Sequence, residues 1–313
     1  MLKVTLAAAL AATTMLAVAP ATVAKPGKAP AAAAAKFTDK YAENAGVKIH
    51  YVVEGKGPLV VMIHGFPDYW ATWKPLMATL SADGYRVAAL DTRGYNLSDK
   101  PQGVAAYAMP NLIGDVAAVI AAEGQKNAVV VGHDWGAAIA WQTVLNRPEL
   151  VNKLVIMAVP HPAGMARELA TNKDQQANSQ YARNFQKEGS EKQLTAERLA
   201  SMANKNPAEK AGYLEAFGRS DFAAMMNYYR ANYPRGAGEA VGPPPSFPKI
   251  KVPVLIIHGM QDKALNAAGH NGAWNQVDAD TTILMIPTAG HFVQHDAEAL
   301  VDRTVKDWLN ERR

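Results

Sequence analysis

The 313 residues, 49% of them hydrophobic and 19% charged, suffice to bury a sizeable core in one large domain or one domain carrying an insertion. A net charge of +4, from 32 basic and 28 acidic side chains with no run of lysines and arginines, offers no basic patch for a nucleic-acid partner. With no cysteine, disulfides, thiolate zinc sites and a cysteine nucleophile are excluded.

In chain order, residues 1–24 stand apart. Lys3 precedes an apolar run over 4–20, and small residues follow through Ala24, the form of a secretory signal peptide cleaved after Ala21 or Ala24. The apolar run is at the short limit for spanning a bilayer. The expected location is therefore periplasmic or secreted, with no stable membrane association once the signal is removed. Residues 25–36, rich in alanine and proline, read as a tether to a domain that begins at Phe37.

Strand signals follow at the spacing of an α/β sheet. The run 48–53 suggests one arm of a hairpin. Runs at 59–63, 86–90, 128–131, 154–158, 254–257 and 282–286 are short, apolar and often β-branched, which suits central strands covered on both faces. A helix is expected over 110–123, with Leu112, Val116, Val119 and Ile120 on one stripe, and another from Trp135 to just before Arg147 and Pro148. The alternation predicts a doubly wound, mostly parallel sheet built from 37–160 and 247–313. Between 161 and 246 strand signals vanish and helical segments take over, ending in a Gly/Pro-rich linker over 236–245. This stretch is expected to form a helical lid over the carboxyl ends of the strands, where open α/β sheets bind ligands.

Four features fall at the ends of predicted strands. Gly132-His133-Asp134-Trp135-Gly136 is a strand running into a tight turn with a small-residue helix behind it, the layout that lifts one side chain into an active site. Where such turns often carry serine, this one carries Asp134, a nucleophile for an electrophilic carbon that needs no activating base because it is already ionised. His64-Gly65-Phe66-Pro67, Asp262 and Gly290-His291 follow three other strands. Carboxylate attack forms an ester on the enzyme. His291, oriented by Asp262, can deprotonate the water that cleaves it. Backbone N–H groups of Phe66 and Trp135 are the expected oxyanion donors, worth about 3–4 kcal/mol each. No metal or cofactor is required. His133 is expected to support the turn, His64 and His258 to be structural, and His295 to lie at the surface of the final helix. Phe217, Phe222, Met225 and Met226 suit either an apolar pocket wall or the core of the lid.

These residues resemble the epoxide hydrolases of the α/β-hydrolase superfamily, from about Phe37 to Trp308. The resemblance rests on His64-Gly65-Phe66-Pro67, Gly132-His133-Asp134-Trp135-Gly136 and the Asp91, Arg93, Gly94, Tyr95, Ser98, Asp99, Lys100, Pro101 pattern. It implies an α/β-hydrolase fold, a small apolar epoxide as substrate, and two lid tyrosines that assist ring opening. Asn227-Tyr228-Tyr229-Arg230 resembles the segment carrying one of them, which implies Tyr229, and residues 181–189 resemble the other, which implies Tyr181. A phenol suits the task, since an alkoxide leaves poorly at neutral pH without a proton donor. Tyr213, Tyr228 and Tyr233 are assigned to lid packing.

Haloalkane or haloacid dehalogenation is the nearest alternative, because it uses the same aspartyl ester. A leaving halide needs N–H donors, however, and the lid has no tryptophan between Trp141 and Trp274. Phe66 stands where haloalkane enzymes offer asparagine, and Trp135 where a haloacid enzyme would want arginine. A non-catalytic binding protein on the same fold is the remaining alternative.

Overall fold

Successive residues of a strand face opposite sides of the sheet, so a strand that is apolar throughout demands cover on both. The computed structural model, which describes residues 37–203, 206–235 and 246–313, supplies that cover. The expected signal peptide and tether, and the linker over 236–245, lie outside the described residues. Eight strands form one sheet: β1 (Thr38–Asn44), β2 (Val47–Gly55), β3 (Leu59–Ile63), β4 (Arg86–Leu90), β5 (Ala128–His133), β6 (Val151–Met157), β7 (Val254–Gly259) and β8 (Thr281–Ile286). Their order is β1-β2-β4-β3-β5-β6-β7-β8, with β2 antiparallel to both its neighbours and every later pairing parallel. This is an α/β-hydrolase arrangement.

The helices between strands are α1 (Lys74–Ala82), α2 (Met109–Ala122) and α3 (Trp135–Asn146). After β8 come the short α10 (Val293–Asp296) and α11 (Glu298–Asn310). Val60, Met62, Val129 and Val131 pack with α1 and α11, through Leu76, Met77, Leu80, Val301, Val305 and Trp308. Their neighbours Val61, Ile63 and Val130 pack the other way, against Leu112, Val116, Val119 and Ile139 of α2 and α3. The expected stripe on α2 is buried against the sheet. β1, which pairs with β2 in the predicted hairpin, has Ala42 as its buried apolar residue and so carries almost no hydrophobic signal.

Between β6 and β7 lies a helical insertion: α4 (Pro162–Thr171), α5 (Lys173–Asn178), α6 (Gln180–Phe185), α7 (Ala196–Ala203), α8 (Lys210–Gly218) and α9 (Phe222–Asn232). Phe217, Met225 and Met226 are buried in its core rather than on a cavity wall, and Phe222 packs partly buried against the same cluster. Parallel registers place Ile63 opposite Gly132, His133 opposite Met157 and Gly259 opposite Ile286, so these strands end at one edge. The chain moves outward from β3 to β4 and then crosses back to β5 on the other side of β3. A crevice opens at the carboxyl ends of β3 and β5 for that reason.

Candidate active site

Asp134 leaves β5 and precedes α3 with φ +51° and ψ −123°, a conformation costly for any residue with a Cβ. Close packing around the turn holds it there. A Cβ on Gly136 would come within 1.9 Å of the Ile63 carbonyl oxygen, and one on Gly132 within 2.3 Å of the Gly136 carbonyl oxygen. Only glycine lets α3 start this close to β3. The Asp134 carbonyl accepts from the N–H groups of Ala137 and Ala138, which anchors the turn to the first coil of the helix.

The two carboxylate oxygens of Asp134 face different partners. Oδ1 accepts the backbone N–H of Phe66 at 2.7 Å, while Oδ2 lies 3.3 Å from His291 Nε2. Trp135 is the first residue of α3, so its N–H has no carbonyl within the helix to bond. His291 Nδ1 is 2.8 Å from Oδ2 of Asp262, whose Oδ1 accepts from the N–H groups of Ala264 and Leu265. The Asp262 carboxylate can only accept there, so Nδ1 carries a proton and Nε2 is the nitrogen turned to the nucleophile.

Burial opposes charge on His291, yet Asp262 and Asp134 outweigh it and hold the imidazole proton up to about pH 10. Burial likewise opposes ionisation of both carboxylates, and the facing imidazolium keeps each below the usual range. The three groups form one ion network in which each charge is stabilised by the others.

Tyr181 on α6 and Tyr229 on α9 face this network from the insertion, their ring centroids 6.2 Å apart. Phe185 contacts both rings and Phe66 as well, at centroid distances of 5.7, 5.1 and 5.3 Å. Burial above all, followed by the negative charge of Asp134 at Tyr181 and by Tyr181 and then Asp134 at Tyr229, pushes both phenols well above their ordinary value, so both remain protonated donors. Adjacent Tyr228 turns the other way and donates to the Arg93 carbonyl at 2.8 Å, fixing α9 to the loop that follows β4. Asp221 caps the same helix through the N–H groups of Ala223 and Ala224. Tyr213, on α8, is buried away from this network and donates its hydroxyl to Asp68 Oδ1 at 2.9 Å.

Two cavities meet at Asp134, Tyr181 and Tyr229. One, of about 700 Å³, is walled by Phe66, Phe185, Leu194 and His291, with Lys187 and Arg198 among its polar lining. The other, of about 240 Å³, is more apolar, with Trp135, Trp141, Met165, Leu169 and Leu265 around it. Asp134, His291, Phe66, Trp135, Tyr181 and Tyr229 thus line this joint crevice, with Asp262 buried behind His291 and outside the lining. Among the described residues, no cluster of three or more His, Asp or Glu side chains is arranged to hold a metal.

The remaining histidines sort by their partners. His64 is wholly buried and accepts the Thr92 N–H at Nε2, while His258 and His270 lie against the Ala158 carbonyl; these are structural. His295 departs from expectation. It sits on α10 rather than the final helix, its side chain is 17% exposed, and its Nε2 is 2.9 Å from Thr72 Oγ1. A polar partner 223 residues away draws it inward, which no local pattern signals. Phe185, Gln294 and Asp68 were also missed; each acts through contacts distant in sequence.

Residues 58–298 match the family model described as the alpha/beta hydrolase fold. The chain is 32% identical to Epoxide hydrolase 1 of Caenorhabditis elegans, over 88% of this chain and 70% of the relative. It is 31% identical to the AB hydrolase superfamily protein YfhM of Bacillus subtilis, over 86% of this chain and 97% of that protein. The crystal structure of Bacillus megaterium epoxide hydrolase in complex with an inhibitor superposes with a TM-score of 0.81 at 30% identity, covering 87% of this chain and all of the other.

Proposed function

The chain belongs to the epoxide hydrolases of the α/β-hydrolase superfamily, and on that premise we propose that it converts a small apolar epoxide to a vicinal diol through an ester on Asp134. The observation that carries the proposal is the split environment of the Asp134 carboxylate. Oδ1 is committed to the Phe66 N–H, whereas Oδ2 faces the crevice shared with His291 and the two tyrosines. Oδ2 attacks a ring carbon, the C–O bond breaks, and Tyr181 and Tyr229 deliver a proton to the departing oxygen. Solvent resupplies that proton to the phenols and, once the ester has formed, takes up the one that His291 releases, so ring opening leaves a neutral ester, a neutral imidazole and intact phenols.

Esterification removes one of the two negative charges that held the His291 proton. The imidazole now acts as base: it takes a proton from water as the hydroxide adds to the Asp134 carbonyl. Negative charge develops on Oδ1, where Phe66 N–H already points, with Trp135 N–H as the second donor. Collapse expels the diol alkoxide, which takes the proton of the new carboxyl group. Asp134 is again an anion and His291 again a cation, with neither metal nor cofactor used. The helical insertion acts as the lid that brings the phenols to the ring oxygen.

A dehalogenase would share the ester but not the phenols, and the family relatives do not favour it. The deciding experiment uses the His291→Gln variant, which should form the ester and fail to cleave it. Incubated with a panel of epoxides and haloalkanes and weighed intact, it should gain the mass of an epoxide at Asp134. Adducts from haloalkanes alone would establish dehalogenation, and no adduct together with an inactive wild type would establish a binding protein. The reading of residues 1–24 as an export signal belongs to the same proposal, and places the enzyme in the periplasm or outside the cell.

A further inference from the structure

The nucleophile and the base sit on separate loops, one between β5 and α3 and the other between β8 and α10, yet they must meet within a few tenths of an ångström. The Asp262 contact fixes the ring of His291 in orientation. Its backbone is fixed by a different route. His133, the residue before the nucleophile, is fully buried, and its Nε2 lies 2.8 Å from the His291 carbonyl oxygen. A carbonyl can only accept, so Nε2 carries the proton and Nδ1 must accept if the ring is neutral. Burial and the facing His291 charge hold His133 neutral, its proton leaving at about pH 4. The donor to Nδ1 is the side-chain amide of Gln294, at 3.3 Å.

The chain of contacts continues away from the reacting atoms. The Gln294 amide also donates to Thr72 Oγ1 at 3.2 Å, and Thr72 Oγ1 is 2.9 Å from His295 Nε2. Behind His295 is Asp68, wholly buried, with Oδ2 3.8 Å from Nε2 and without a hydrogen-bond partner among the described residues. Asp68 Oδ1 accepts from Tyr213 on α8, at 2.9 Å, and from the Tyr69 N–H. A charged His295 facing Asp68 makes the donor sequence consistent end to end: His295 and Gln294 donate to Thr72, Gln294 donates to His133, and His133 donates to His291. Thr72 itself lies five residues past Pro67, in the segment after β3 that also carries the Phe66 oxyanion donor.

We propose that His133 and Gln294 are positioning residues for ester hydrolysis, holding the His291 backbone in register with Asp134 through a hydrogen-bonded chain that ends on the buried Asp68–His295 pair beneath helix α8. The inference rests on the aspartyl-ester reading. It separates the two half-reactions. Attack by Asp134 needs His291 only as a neighbouring charge, which tolerates a small displacement, whereas deprotonating water needs the imidazole aimed along a hydrogen bond.

Gln294→Met and Thr72→Val keep shape while removing a donor and a hydroxyl, respectively. Single-turnover mixing with an epoxide accepted by the wild type, followed by acid quench and intact mass, reads ester formation and ester decay separately. In both variants formation should stay within about twofold of the wild type while decay slows about tenfold, so that ester accumulates. His133→Gln, which retains an N–H donor, should decay faster than His133→Leu. Equal slowing of both steps, or decay unchanged in variants with an altered melting temperature, would show that the chain serves folding alone. If the wild type itself forms diol without any ester at Asp134, the mechanism fails first, and the inference with it.

Discussion

Gly65 offers the sharpest test of how the site is held. A Cβ built there would lie 2.3 Å from Asp134 Cβ, 2.4 Å from its Oδ1 and 2.7 Å from the His133 carbonyl oxygen. Ordinary contact begins near 3.4 Å, so Gly65→Ala must open the gap by about an ångström, and none of the three atoms is the free end of a flexible side chain. Either the nucleophile or the loop bearing Phe66 moves. In both cases the 2.7 Å bond from Phe66 N–H to Oδ1 stretches beyond useful length. Loss of one oxyanion donor costs about 10²–10³ in rate, and misplacement of the attacking oxygen adds to that. Ester hydrolysis, and with it kcat for diol formation, should therefore slow at least a hundredfold. Gly218→Ala is the matched control: nothing lies within 4 Å of its added methyl, and an alanine in α8 should raise stability by about 0.5–1 kcal/mol with turnover unchanged. The assay is diol formation, with circular dichroism to confirm folding. A folded Gly65→Ala enzyme with wild-type kcat would refute the geometric argument.

Tyr181→Phe and Tyr229→Phe should each slow ester formation at least tenfold, and the double variant more, with little change in melting temperature; normal single-turnover rates in the double variant would remove the phenols from the mechanism. Asp262→Asn should slow ester decay far more than ester formation in the same assay, because it takes away the carboxylate that orients the base. The His291 proton is held to about pH 10 in the fold against about 6.5 in the unfolded chain, so its stabilising contribution is complete below pH 6.5 and is lost as pH rises towards 10. Thermal melts across that window should fall more steeply for the wild type than for His291→Gln, and parallel curves would deny the ion network. Amino-terminal sequencing of the mature protein should begin at Thr22 or Lys25, and an intact Met1 would refute export.

Asp134 was legible because everything that defines it is local: an apolar strand, two glycines at fixed offsets and a small-residue helix. Asp262 and His291 were legible from their order at strand ends, since parallel registers bring those ends to one edge. Their separation was not, because 3.3 Å between Asp134 and His291 depends on two loops from strands three apart in the sheet. Tyr181 and Tyr229 came from resemblance alone; five tyrosines between residues 181 and 233 look alike until α9 turns Tyr228 to the loop after β4 and Tyr229 to the crevice. The misplacement of His295 has the same root. Its environment is set by Thr72 and Asp68, and spacing along α10 carries no trace of either.

Two carboxylates share one imidazolium here, and the geometry divides their labour. The Asp262 contact, at 2.8 Å, has the length of a strong charge-assisted bond, and its second oxygen is tied down by two backbone N–H groups. The Asp134 contact, at 3.3 Å, is longer than such a bond, and its side chain keeps 10% exposure to the crevice where that of Asp262 keeps none. The looser partner is the one that can swing Oδ2 towards an electrophile without first breaking a strong bond. The tighter one holds the imidazole in place while that happens. Exchange of the two roles is barred by the backbone, since only Asp134 stands on the strained turn where Phe66 N–H waits for the charge that hydrolysis creates.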